Sequence, residues 1–122
     1  MDFELIFKAL GEGTRIKIIK ILSLKPMYVC ELEGILGISQ PRISQHLKIL
    51  KHASLVEVEK EGQRAIYSLN KKLIETVSNE FIKFLDKPLE ELEEFDKEYQ
   101  KMQVVSEDLN IAICKSCSHK NK

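Results

Sequence analysis

No stretch of the chain approaches the roughly 18 consecutive apolar residues of a membrane-crossing helix. The opening MDFELIFKALGEG has neither the basic start nor the long apolar run of a secretory leader. These absences predict a cytoplasmic protein with no membrane partner. Cysteine is scarce, with Cys30, Cys114 and Cys117 alone, and cytosolic thiols usually stay reduced. There is no glycine-rich phosphate loop, no H-E-x-x-H, and no pair of carboxylates in an enclosed setting. The single C-x-x-C follows no βαβ pattern of the thioredoxin kind, so enzymatic chemistry is not expected. Net charge is missing too, with 19 basic against 19 acidic side chains. Such a balance argues against strong non-specific DNA binding but leaves local phosphate binding open, because the charges are segregated. Residues 1–87 carry 14 basic and 11 acidic groups, whereas residues 88–108 carry eight acids against Lys97 and Lys101.

What is present is a chain of 122 residues, 43% apolar, enough for one core or for a small core completed by a partner. The stretch from Cys30 to Leu69 organises it. Leu32, Ile35 and Leu36 share one side of a short helix, and Gly37-Ile38 forms a turn. Ser39 is placed to cap a second helix with its hydroxyl, Pro41 sits harmlessly in the first turn, and Ile38 and Ile43 have the spacing of a hydrophobic staple. At about 100° per residue, Ile43, Leu47 and Leu50 face a core. Arg42, Ser44, Gln45, Lys48 and His52 occupy much of the remainder, Gln40 sits near the start, and no acid interrupts the helix from Gln40 to His52. A rigid rod of this kind suits a DNA major groove, with Gln or Arg reading base edges while Ser, Lys and the helix N-terminus hold phosphates. For the helix alone, an ordinary solvated face is the competing explanation.

The segments that follow favour the DNA reading. Leu55, Val56 and Val58 begin a strand, Lys60-Glu61-Gly62-Gln63 supplies a turn, and Ala65, Tyr67 and Leu69 alternate in a second strand. The fold class expected is mainly α with a two-stranded β wing, a winged helix-turn-helix, with Lys60 and Arg64 flanking the wing tip. Glu57, Glu59 and Glu61 complicate any phosphate contact there. Earlier, Phe3, Ile6, Phe7 and Leu10 mark one helix. Thr14 is a plausible cap for the next, and Arg15 is placed to contact a phosphate or brace a carboxylate. Met27-Tyr28-Val29 reads as a short, extended link. Asn70 can cap a helix through Leu85. Beyond Pro88, Leu92, Phe95, Tyr99 and Met102 form an apolar seam that resumes at Leu109 and Ile113. We therefore divide the chain into a DNA-binding domain at 1–87, a helical dimerisation element at 88–113 and a tail at 114–122. A homodimer would bury the seam and set two reading heads one DNA turn apart, against a palindromic operator. A helix folded back over its own core is the alternative.

These segments resemble the ArsR/SmtB family of dimeric winged-helix repressors. GTRIKIIKIL is similar to the family's early TR-x-x-I-L helix, ISQPRISQHLKILKHASLV to its recognition segment, and EGQRAIYSL to its wing. The likeness spans roughly residues 3–85. It implies repression relieved by a ligand, and DNA contacts at Ser39, Gln40, Arg42, Ser44, Gln45 and His46. Arg42 stands where a small residue is common in the family, and the angle of His46 also suits bracing the helix.

For the effector, Cys114-x-x-Cys117 is followed by His119. With Cys30, three thiolates can hold trigonal arsenite or antimonite, and His119 as a fourth ligand would complete a zinc or cadmium site. Chance, buried thiols and a dithiol redox switch are competing readings of one C-x-x-C. Thiol-sensing relatives carry a C-V-C-D-L-like motif where this chain has Tyr28-Val29-Cys30-Glu31-Leu32. The resemblance thus matches Cys30 to the second cysteine, while Tyr28 and Glu33 stand where cysteines occur in sensors. The tail cysteines would have to complete the site. No cofactor is expected for DNA binding itself. A redox- or sulfide-responsive repressor using a Cys30–tail link, and a winged-helix protein-interaction module, are the alternative functions.

Overall fold

The computed structural model describes residues 2–107. The expected Leu109–Ile113 continuation of the seam, and Cys114, Cys117 and His119, lie outside them. The first helix, α1, is Phe3–Leu10, and the Asp2 carboxylate caps it by accepting from the Leu5 N–H at 3.0 Å. Helix α2, Gly13–Leu22, starts earlier than Thr14 would have it. Glu12 adopts the extended cap conformation and accepts from the Arg15 N–H at 3.1 Å. The longer, charged carboxylate reaches the third helical N–H and gains from the positive end of the helix.

Strand β1 is Met27–Tyr28, and α3 follows as Val29–Leu36, with the Glu31 carboxylate accepting from the Tyr28 N–H at 2.9 Å. Gly37 closes α3 in a left-handed conformation, φ 67°, which a side chain would strain. Helix α4 is Gln40–His52. Strands β2, Val56–Glu61, and β3, Arg64–Leu69, pair antiparallel from Val56↔Leu69 to Glu61↔Arg64, with Gly62-Gln63 as the whole turn. The short link forms a third strand, because Met27 and Tyr28 pair with Tyr67 and Ile66 and give the sheet the order β1-β3-β2. This strand covers the edge of β3 that a lone hairpin would leave open.

The described residues form two compact units, with the boundary after Ile82 inside α5, Lys71–Asp86. In the first unit, α3 packs on α4, and α4 on α1 and α2. Ile18, Leu32, Ile43, Leu47, Leu50, Leu55 and Val77 are fully buried in one core. Phe81 meets Phe3 and Phe7 edge-on, ring centroids 5.3 and 4.9 Å apart, which docks α5 on α1. Asn70 caps α5 as expected, its side-chain oxygen accepting from the Leu73 N–H at 3.2 Å.

The junction between α4 and the wing is a Schellman turn. Ser54 N–H donates to the Lys51 carbonyl and Leu55 N–H to the Leu50 carbonyl, both at 2.9 Å. Leu50 and Leu55 are both sealed in the core beside the turn. Ser54 takes φ 62°, the one positive φ outside glycine among the described residues, and its carbonyl accepts from the Asn70 amide at 2.9 Å.

In the second unit, the 3-10 turns Leu89–Glu91 and Glu93–Phe95 precede helix α6, Asp96–Glu107. The C-terminal helix is present, but it opens at Asp96 because Leu92 is extended, φ −106° and ψ 104°. In an unbroken helix Glu90, Glu91, Glu93 and Glu94 would repel across one turn, whereas here they lie in the two turns that precede α6, and Asp96 and Glu98 occupy its positive end. Phe84 and Phe95 stack at a tilt, 6.0 Å between centroids.

Candidate nucleic-acid interface

The outer face of α4 is built by its inner one. Burial of Ile43, Leu47 and Leu50 leaves Gln40, Arg42, Ser44, Gln45 and Lys48 exposed, with Ser39 exposed just ahead of them. No carboxylate is carried on this helix. Ser39 has the cap backbone, φ −60° and ψ 150°, but its hydroxyl makes no cap hydrogen bond. The first N–H of the helix is met from elsewhere, by Glu33, whose Oε2 accepts from the Gln40 N–H at 3.1 Å. Glu33, seven residues upstream across a turn, escapes a sequence reading because caps are sought locally. One N-terminal donor is therefore already taken, and the exposed side chains carry most of the anion-binding capacity.

His46 sits apart from the reading side chains. Its side chain is 16% exposed, and Nδ1 lies 3.3 Å from Arg15 Nη1 and 3.6 Å from Glu12 Oε2. With its proton on Nε2 the ring accepts from Arg15, and with a proton on Nδ1 it faces Glu12. Arg15 Nε donates to the Ala9 carbonyl at 2.6 Å and Nη2 to the Lys8 carbonyl at 3.4 Å, so a cation closes the negative end of α1. The guanidinium also stands 4.0 Å from Glu12. Glu12, Arg15 and His46 thus tie α1, α2 and α4 together, and Arg15 takes the bracing role. Hydrogen bonds from the Thr14 and Arg15 backbone, with the Thr14 bond foremost, hold the Glu12 carboxyl below its ordinary range, against a smaller upward push from burial.

The two wing cations part company. Lys60 is exposed, opposite Ala65 on the sheet face that carries Val56 and Val58. Arg64 lies on the other face, its guanidinium carbon 3.7 Å from the centre of the Tyr28 ring and Nη2 3.5 Å from Cys30 Sγ. The Tyr28 hydroxyl donates to the Glu61 carboxylate. The Arg64 guanidinium is therefore held over the Tyr28 ring of β1. That hydrogen bond is the main reason the Tyr28 phenol titrates above 10.0, helped by burial and by the charge of Glu61 and opposed by Arg64. A folded value raised this way means the contact stabilises fully below the ordinary tyrosine range and is lost as pH rises through the raised value. We expect the Tyr28 phenol, read as the difference between the ultraviolet pH titrations of the parent and of Tyr28→Phe, to ionise later than a free tyrosine. A difference curve centred on the ordinary tyrosine range would contradict the contact.

The same arrangement of helices and wing occurs in known proteins. A family model described as bacterial regulatory protein, arsR family, matches residues 12–58. The transcriptional repressor SdpR of Bacillus subtilis is 35% identical over 82 residues, 67% of this chain and 91% of that protein. The chain belongs to the arsR family. A cadmium resistance transcriptional regulatory protein, a CadC homolog of Staphylococcus aureus, is 39% identical over 80 residues, 62% of this chain and 66% of that regulator. The match therefore falls just short of two thirds of the regulator's length. The solution structure of the homodimeric winged helix-turn-helix DNA-binding domain Mb0332 of Mycobacterium bovis superposes with a TM-score of 0.56 at 25% identity, covering 64% of this chain and 73% of that one. This arsR-family chain is thus a winged helix-turn-helix transcriptional regulator, of a class of DNA-binding proteins and not of enzymes.

Of the four expected thiol and imidazole ligands, Cys30 alone lies among the described residues. It is exposed in the first turn of α3. It opens on a 310 Å³ pocket also lined by Gln40 and Arg64, which sets the thiol beside the start of α4. Among the described residues, no three His, Cys, Asp or Glu side chains converge as a metal site.

Proposed function

We propose that the protein is a cytosolic, sequence-specific repressor that binds a palindromic operator as a homodimer and leaves it when a soft metal or metalloid binds its thiolates. The observation that carries this reading is the acid-free outer face of α4 held out by a fully buried inner stripe. Arg42 and Gln45 read base edges in this scheme, and Ser39, Gln40, Ser44, Lys48 and Lys60 hold phosphates. His46 and Arg64 act as supports, which fits the partners each has in the fold. Dimerisation is supported by the homodimeric Mycobacterium bovis domain and by Met102, Val104 and Val105, left 53%, 66% and 41% exposed on α6.

The proposed effector site joins Cys30 to Cys114 and Cys117, with His119 as a fourth ligand for zinc or cadmium, and three sulfurs alone for arsenite or antimonite. The CadC-like relative supports cadmium as one such ligand. The pocket shared by Cys30 and Gln40 gives metal binding a route to the reading helix. A redox- or sulfide-responsive repressor is the second reading, favoured by the exposure of Cys30.

The test titrates reduced protein against duplexes it has selected from a random pool, then repeats this with arsenite, cadmium, zinc and an oxidant. Salt-sensitive binding released by arsenite or cadmium is expected, with Cys30→Ser, Cys114→Ser and Cys117→Ser each blunting release. Release by oxidant alone, with loss of two thiols, would favour the redox reading. If all three variants release DNA like the parent, the shared thiol site is wrong.

A further inference from the structure

A second concavity, of 770 Å³, lies between α1, α2 and α4 and shares no lining residue with the pocket at Cys30. Leu5, Ala9 and Ile49 give it an apolar floor, and Lys8, Lys48 and Lys51 stand around it. No lining residue is acidic, and among the described residues no ion pair engages these three lysines. Ile49 remains 44% exposed although it lies on the most deeply seated helix of the unit. The volume falls in the range of small-molecule sites, which pair apolar walls with a few placed polar groups.

We infer that this groove binds a free fatty carboxylate, its chain on Leu5, Ala9 and Ile49 and its head between the lysines. The combination selects the ligand. A DNA phosphate would use the cations but leave the apolar floor wet, and a neutral alcohol would cover the floor but leave the cations unpaired. A second copy of this chain would have to bring an acid and an apolar side chain together into one groove. Lys48 also belongs to the proposed DNA face, so an occupied groove withdraws a cation from phosphate and lowers DNA affinity. That consequence, though not the site itself, rests on the DNA-binding reading.

The test titrates the full chain, without DNA, with decanoate, decanol and inorganic phosphate, following the methyl NMR signals of Leu5, Ala9 and Ile49. Decanoate is expected to shift all three to saturation, and decanol and phosphate to do so far more weakly. A Lys8→Gln, Lys51→Gln variant, both positions outside the proposed reading set, should bind decanoate about tenfold more weakly. Unmoved methyl signals, an equal response to decanol, or parent-like affinity in the double variant would overturn the site. Conversion of a dimer to a monomer by Ile49→Lys would assign the groove to a second copy, and saturation by phosphate alone would assign it to DNA. In a parallel duplex titration decanoate should weaken binding. No duplex binding in its absence would reject the DNA reading and leave the site standing, whereas DNA affinity indifferent to bound decanoate would reject the coupling.

Discussion

An Arg42→Ala, Gln45→Ala double variant is expected to lose operator binding by about two orders of magnitude or more, since each good bidentate base contact carries about 1–3 kcal/mol of discrimination. Both side chains are exposed on α4 and neither is bonded to another group among the described residues, so truncation removes reading groups without disturbing the core. Binding to a scrambled duplex should fall much less, because phosphate contacts from the remaining cations are independent of sequence. The check is a competition between the selected and scrambled duplexes, with sedimentation to confirm that the oligomeric state of the parent is kept. A variant that prefers the selected duplex as strongly as the parent does would remove both residues from the reading set.

Leu47→Ala should have the largest effect on stability. The side chain is fully buried between the reading helix and the rest of the core, and truncation of such a leucine costs about 2–5 kcal/mol in lost transfer energy and cavity. That is a large share of the roughly 5–15 kcal/mol that holds a domain folded. Lys48→Ala, one position along and exposed, should change stability by about 0.5 kcal/mol at most. Urea unfolding of the two variants beside the parent measures the contrast. Similar midpoints would mean that α4 is not seated by its apolar stripe, and an outward reading face would lose its physical basis.

The parts of this fold that were legible in the sequence are those written in local periodicity. Ile43, Leu47 and Leu50 define the inner face of α4 by spacing alone, and Asn70 and the wing alternation are equally local signals. What escaped depends on side chains meeting from distant positions. Glu33 accepts from the Gln40 N–H because its carboxylate reaches across the helix-turn-helix turn, while the Ser39 hydroxyl makes no cap bond. Glu12 displaces Thr14 by reach and charge. The Arg64 guanidinium folds onto an aromatic face on β1 and a thiol on α3, and no spacing rule joins residues 28, 30 and 64. His46 shows the intermediate case. Its helical angle left bracing and DNA contact equally open, and the partners that hold the ring, Glu12 and Arg15, both stand at the start of α2.

The left-handed Ser54 bears on how such a protein can be regulated. Two backbone hydrogen bonds close the end of α4 around it, and the Asn70 amide clamps its carbonyl from the far end of the wing. Reader and wing are thereby cast in a single piece, with no hinge at the joint where one would be easiest to install. In a dimer, a ligand gains little leverage by bending either head. For the proposed thiol-bound metal, the leverage that remains is over the stance of the two heads.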